Sequence, residues 1–520
     1  MRPRTSLPLL GLSIALLGVG LALSLTSLPH PDIAWPLYMA KGIVFEGAKH
    51  GVDYYEVNPP LYVWLCVIPM LIGRGLAMTP WIPYVLEIGL AGLVSLLLSL
   101  RILFHLGDHS GLPRPQVTIP ILMFVMFLLP LNQFGQREHV ALILTLPYVL
   151  LAASRVSGSV PPRRLASLVG LVGGLGVAMK PFFLPALLLV ELLNLFRCGW
   201  RSLVRLEFLI VVGLGMAYIG AVMVLVPDYI PFALEWRALY GRYLHNNLWN
   251  SAFPSPVSTL PLFAVCVWLT ARRSGVRFPA FDALLVASLG FWLSAIVQRK
   301  GFQYHYLAAA GYALLLIGFI VLETRFHRFG RPLALVANVA RLVTVVIPIY
   351  LLGLAMLYLA GVRPRPILDA GLPDLIRFVK AEAQDEPILV LSSNPSAGWP
   401  LTLVAGAKWG SRFFSHWPLA GLYHDELWSR YDSVPQFRPL EKRVGIERVF
   451  HETMIEDLDR YQPRLILVLQ VDSLVWGHGG ATRLDYLAYL MPDPRFRQIL
   501  SRYEDLGTNG RYGVYRRRDR

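Results

Sequence analysis

Residues 342–360 read LVTVVIPIYLLGLAMLYLA, nineteen positions without a charged side chain. As an α-helix this run nearly crosses a hydrocarbon layer about 30 Å thick. Stretches 7–28 and 206–226 are slightly longer. Only 16% of the 520 residues are charged and 55% are hydrophobic, whereas soluble domains carry about 25% charged residues. The chain therefore reads as a polytopic α-helical membrane protein. From about Val362 onward the composition changes to that of an ordinary soluble domain.

Working outward, apolar runs predict about eleven transmembrane helices near 7–28, 81–104, 117–131, 140–154, 165–179, 182–196, 206–226, 257–271, 281–297, 306–323 and 339–360. The first could be a signal peptide, because Arg2 and Arg4 precede it. No clear small-residue cleavage site follows, so it reads as a retained helix. Arginines cluster at alternate exits: Arg101 and Arg114, then Arg155, Arg163 and Arg164, then Arg197, Arg201 and Arg205, then Arg272, Arg273 and Arg277, then Arg325, Arg328 and Arg331. Short basic loops stay in the cytoplasm. The expected orientation is a cytoplasmic N-terminus with everything after residue 360 outside the cytoplasmic membrane of a bacterium. The apolar stretch 59–76 would invert this order as a full span, so it is expected to be re-entrant or to lie along the outer interface, with Tyr62 and Trp64 at headgroup depth. The formal net charge of +15 is spread over these loops, which argues against a nucleic-acid partner. Three cysteines, Cys66, Cys198 and Cys266, suggest neither a disulfide framework nor a zinc site in the C-terminal part.

Two parts follow: a transmembrane module, 1–361, with outer loops 29–80, 132–139, 227–256 and 298–305, and an extracytoplasmic α/β domain, 362–520. In the latter, 372–383 reads as an amphipathic helix, 387–391 and 465–469 as buried strands, 455–461 and 484–490 as helical, and 503–517 as a β-hairpin turning at Asn509-Gly510. No glycine-rich phosphate loop follows a strand, which argues against a nucleotide site there.

The outer loops collect unusual chemistry. The first holds Asp32, Tyr38, Asp53, Asn58 and Trp64; another holds Arg137-Glu138-His139; Lys180-Pro181 separates two spans; His245 and Asn246-Asn247 lie in a fourth; Arg299-Lys300-Gly301-Phe302-Gln303-Tyr304-His305 forms a fifth. The four lysines before residue 361, Lys41, Lys49, Lys180 and Lys300, all fall on this side, against the positive-inside tendency. Ionisable groups at membrane depth are costly and mark function. Clustered Lys and Arg suit phosphate, and aromatics with polar groups suit sugars. The bland alternatives are a helix cap for Asp32, a local ion pair for Glu138, lipid snorkelling for Lys180, nonspecific lipid-phosphate contacts for Arg299 and Lys300, and solvated loop charges for Asp53 and Glu56.

Asp32 just after the first span, the stretch Asn58-Pro59-Pro60-Leu61-Tyr62-Val63-Trp64, Glu138 after the third span and Lys180-Pro181 together resemble the GT-C glycosyltransferases, in particular the group of protein mannosyltransferases and aminoarabinose transferases. The chain departs from that pattern in following Asp32 with Ile33 and in carrying Glu138 where Asp is more usual. The resemblance implies an inverting sugar transfer from a polyprenyl-phosphate donor to a glycan, lipid or protein acceptor. It gives Asp32 the role of general base, with Glu138 as the second catalytic acid. Lys180, Arg299, Lys300, Gln303, Tyr304, His305, Arg137 and His139 become candidates for the donor phosphate and sugar, and Tyr38, Asp53, Asn58, Trp64 and His245 for the acceptor or its loops. Membrane lipids surround the module. No cofactor is expected; a divalent cation shared by Asp32 and Glu138 is conceivable but no dense ligand cluster calls for it. The competing classes are a transporter or flippase, which calls for paired broken helices in two repeats, a ligase or polymerase with one large late catalytic loop, and a noncatalytic envelope assembly protein.

Overall fold

The computed structural model describes residues 7–106, 115–323, 331–362, 371–429, 435–470 and 484–518. Arg2, Arg4, Arg114, Arg325 and Arg328 lie outside them. The described chain divides into two compact units: residues 1–28, 68–221 and 246–367 form the first, and 29–67, 222–245 and 368–520 the second.

The first unit is a helical bundle. Among the described residues, eight helices are long and apolar enough to cross a membrane: Leu7–Thr26, Trp81–His105, Arg137–Val156, Pro181–Cys198, Leu206–Leu225, Pro279–Val297, Gln303–Leu322 and Ala334–Leu359. The chain is thus a multi-pass membrane protein. At the other three expected spans the helices are shorter: Pro115–Met123 running into a π-helical turn Phe124–Leu128, Arg163–Ala178, and Leu260–Arg273. The 16 residues of Arg163–Ala178 make about 24 Å of helix, less than a full hydrocarbon layer. Stretch 59–76 breaks at Cys66 into Leu61–Leu65 and Val67–Gly75, and neither half has spanning length.

Small residues set the packing. A Cβ on Gly290 would overlap the backbone of Ala186, so helix Pro279–Val297 lies close against Leu184–Cys198. The indole of Trp81 donates to the carbonyls of Ser24 and Ser27, at 3.1 and 3.0 Å. It thereby satisfies two acceptors that the end of the first helix leaves without intrahelical partners.

The expected basic exits are partly buried in ion pairs. Arg155 Nε and Nη2 reach the two carboxylate oxygens of Glu207 at 2.9 Å each. Arg205 pairs with Glu191 and, at 3.5 Å, with Glu207, and the Tyr148 hydroxyl donates to Glu191 at 2.7 Å. Arg197 and Arg272 share Asp282 at 2.9 and 2.8 Å, and the Trp268 indole donates to the same carboxylate. These acids come from or beside membrane helices, where a charge without a counter-ion is expensive.

The second unit is α/β. Helix Leu372–Ala383 and strands β1 (Pro387–Leu391) and β3 (Leu465–Leu469) form as the sequence predicts. With β2 (Lys408–Trp409), β4 (Tyr503–Asn509) and β5 (Tyr512–Arg517) they make a five-stranded sheet ordered β2-β1-β3-β5-β4, parallel across β2, β1 and β3 and antiparallel beyond. The predicted helix at 455–461 is the end of a longer one, Gly445–Tyr461, and that at 484–490 begins at Tyr486. The hairpin exists, but its turn is shifted by one residue. Asn509 pairs with Tyr512, so Gly510 and Arg511 are the central residues, and Gly510 takes φ 59°, a conformation free of strain for glycine.

Segments 29–67 and 222–245 are structural members of this unit. Helix Pro31–Phe45 brings Trp35 and Tyr38 against Tyr54, Trp399 and Phe414. Helix Tyr229–Arg242 brings Phe232 and Trp236 against Tyr55, Phe413 and Trp417. Large aromatic side chains bury much apolar area each, which explains how loops between spans become core.

Candidate active site

In the first unit, three chain breaks aim charged side chains inward. Gly135 takes φ 86°, and a Cβ there would strike the Tyr84 ring. The Tyr84 hydroxyl donates to the Gly135 carbonyl at 2.6 Å. The helix that starts at Arg137 thus carries Glu138 in its first turn, where an anion meets the positive end of the helix dipole. Lys180 has extended backbone, φ −156° and ψ 129°, between helix Arg163–Ala178 and the turn Pro181–Phe183; the proline at the next position suits a helix start. Arg299 and Gly301, on either side of Lys300, take φ 51° and 66°.

These breaks bring together residues far apart in sequence. Lys180 Nζ lies 3.1 Å from Glu138 Oε1. His305 Nε2 lies 3.5 Å from Lys180 Nζ and 3.8 Å from Glu138 Oε1. His305 also feels the charges of Lys180, Lys300 and Arg137. Glu138, Lys180, Lys300, Arg137 and His305 are all buried. Burial, and after it the neighbouring Lys180 charge, pushes the Lys300 ammonium down to about 7. Lys180 thus faces the Glu138 carboxylate directly, while Lys300 and Arg137 bring further positive charge to the buried His305.

The histidine sharpens this picture. Lys180 is a donor only, so its contact assigns His305 Nε2 as an acceptor and puts the ring proton on Nδ1. Among the described residues, that buried Nδ1 has no hydrogen-bond partner. A buried donor left without an acceptor costs about 1–3 kcal/mol, so an acceptor atom of a ligand would be stabilised there.

Of the other sequence candidates in this unit, His139 is spent structurally. His139 accepts from Gly135 N–H at 2.9 Å through Nδ1, and its Nε2 meets the Met126 carbonyl at 2.7 Å. Both ring nitrogens thus serve the turn. Gln303 is exposed and Arg299 half-buried. Tyr304 stacks on Phe302 and meets the His305 ring edge-on, with centroids 5.4 and 4.5 Å apart.

In the second unit, Asp32 occupies the first turn of helix Pro31–Phe45, behind the N-cap His30. Its backbone N–H donates to His30 Nδ1 at 3.2 Å, and its carboxylate is partly exposed 3.7 Å from the same nitrogen. Burial holds the His30 imidazole below its ordinary range against the opposing pull of Asp32, so the ring stays an acceptor. Tyr38 is turned into the core, where its hydroxyl accepts from Trp409 N–H at 2.8 Å. Asp53 accepts from Lys49 N–H and pairs with Arg460, both at 3.0 Å. Asn58 donates twice to Glu56 Oε1, at 2.7 and 2.6 Å. Trp64 is half-buried on helix Leu61–Leu65, and His245 packs near the His424 ring at 6.4 Å. The acids Glu191, Glu207 and Asp282 carried no sequence signal beyond being rare charges in or beside apolar runs. No group of three or more potential metal ligands occurs among the described residues.

No protein-family model matches the chain, and no curated protein sequence matches it significantly. Solved structures do. Crystal structures of ArnT from Cupriavidus metallidurans, bound to undecaprenyl phosphate and in the apo state, both superpose with TM-score 0.53 at 13% identity. Each match covers 98% of this chain, and 97% and 96% of the respective ArnT chains. The arabinofuranosyltransferase AftD from Mycobacteria matches more loosely, with TM-score 0.42 over 40% of its own length. With helices of spanning length, an α/β unit and full-length superposition on ArnT, the chain has the fold of the GT-C membrane glycosyltransferases.

Proposed function

We propose that this protein is an inverting glycosyltransferase that moves a sugar from a polyprenyl-phosphate donor to an envelope glycan, lipid or protein, on the outer face of a bacterial cytoplasmic membrane. The observation that carries the reading is the buried group of Lys180, Lys300 and Arg137 whose charges converge on His305, with Glu138 paired to Lys180 and the His305 Nδ1 donor beside it. Such a cluster suits a phosphate reached from the lipid phase. ArnT, of the same fold, has been crystallised with undecaprenyl phosphate, which supports the donor class.

In this reading the acceptor hydroxyl oxygen forms a bond to the anomeric carbon as the bond from that carbon to the phosphate oxygen breaks. The hydroxyl proton passes to the Asp32 carboxylate. The electron pair leaves on polyprenyl phosphate, where Lys180, Lys300, Arg137 and the His305 N–H stabilise the growing negative charge. Glu138 holds Lys180 in place at 3.1 Å. Residues Arg299, Gln303 and Tyr304 lie on the same loop as candidates for the sugar. The test is glycolipid and polysaccharide profiling of cells carrying Asp32→Asn. Accumulated polyprenyl-phosphate sugar together with one glycan lacking a residue supports the proposal; an unchanged profile at normal protein level removes Asp32 from the mechanism.

A further inference from the structure

The loop that presents Lys300 is held in an unusual shape by one residue, through its backbone and its side chain together. Asn246 N–H donates to the Arg299 carbonyl at 2.8 Å, and its amide nitrogen donates to the Lys300 carbonyl at 3.0 Å. Two successive carbonyls are thus gripped by one residue. Just before the first of them Arg299 adopts φ 51°, which costs a non-glycine residue on the order of 1 kcal/mol or more and persists only where neighbours impose it. Gly301 follows at φ 66°, and a Cβ on it would lie 2.9 Å from the Asn246 amide nitrogen, so the clasp also needs glycine there. A second strap, from the Tyr306 hydroxyl to the Ser251 carbonyl, joins the same two segments.

We propose that Asn246 is a positioning residue whose double grip on the 299–300 backbone holds the Lys300 ammonium inside the cationic cluster beside Lys180. This deepens the donor-phosphate reading and rests on it for its biological meaning, but the geometry makes its own claim. The titratable groups of the cluster are Lys180, His305, Arg137 and Glu138. Lys300 loses its proton near neutrality because it is kept dry next to Lys180. Released from the clasp, it gains water and moves away from that charge, and its titration returns toward the ordinary lysine range.

The experiment uses the full-length protein in detergent and reads the rate of Lys300 modification by acetic anhydride against pH, with peptide mass spectrometry. Only the neutral amine reacts. In the wild type the rate should rise through a midpoint near 7. In Asn246→Ala and in the near-isosteric Asn246→Leu the midpoint should move up by about one pH unit or more, while the rates at Lys41 and Lys49 stay unchanged. A Lys300 profile coincident with wild type in both variants overturns the proposal. Altered Lys41 and Lys49 rates in both variants assign Asn246 a structural role only and overturn it equally. Added polyprenyl phosphate should slow wild-type Lys300 labelling. If it does not, while the variant shift is present, the donor reading fails and the positioning role stands.

Discussion

Lys180 Nζ sits 3.1 Å from Glu138 Oε1, and both side chains are almost wholly buried. The pair joins a lysine at a break between two helices to an acid in the first turn of a third. Removing one partner of a buried pair leaves an uncompensated charge and costs about 3–5 kcal/mol. Glu138→Ala should therefore lower thermal stability in detergent strongly. Glu138→Ala combined with Lys180→Met should recover part of that loss without recovering transfer activity. Recovery of activity in the double variant would deny the pair a place in the reaction.

At the opposite end of the same helix, Arg155 is bidentate to Glu207. Arg155 is 17 positions from Glu138, about 26 Å along the helix axis. Distant sites act additively. Arg155→Ala or Glu207→Gln should destabilise by about 3 kcal/mol while leaving polyprenyl-phosphate affinity within about twofold of wild type. Denaturation curves and binding isotherms on the same preparations check both halves.

Tyr38 separates two readings of one residue. The family resemblance makes it a candidate for the acceptor or its loops, whereas its hydroxyl accepts the Trp409 N–H on the side of β2 facing away from β1. Tyr38→Phe leaves that buried N–H without its acceptor, a loss of about 1–3 kcal/mol. The expected result is lower stability with acceptor KM unchanged. A raised KM at unchanged stability would return Tyr38 to the acceptor site.

The low titration of Lys300 has a sign. Its pKa in the folded protein, about 7, lies below the roughly 10.4 of an unperturbed lysine. Between these values the unfolded chain binds more protons than the folded one, so stability rises with pH across that window. Below about 7 the folded and the unfolded chain both carry the proton, so the contribution flattens. Melting temperatures should climb from pH 7 toward pH 9 in the wild type, and this climb should shrink in Lys300→Met. Donor binding should run the other way, weakening as the ammonium is lost.

What the amino-acid order determined by itself is local. Uncharged runs near 20 residues, the apolar residues of Leu372–Ala383 recurring every three or four positions, the continuous apolar strands at 387–391 and 465–469, and the glycine of the final hairpin each follow from the chemistry of neighbouring positions. The charges at 138, 180, 300 and 305 stood out because ions in apolar stretches are expensive. Tertiary structure alone decided their partners. Glu138 meets Lys180 and His305, 42 and 167 positions away. Packing likewise turned the loops at 29–67 and 222–245 into the aromatic core of the α/β unit, spending Tyr38 and Asp53 on structure. Local pattern reports which face of a segment is apolar; which other segment covers it depends on the whole packed chain, and so do the hydrogen bonds that decide whether a polar group is structural or available to a substrate.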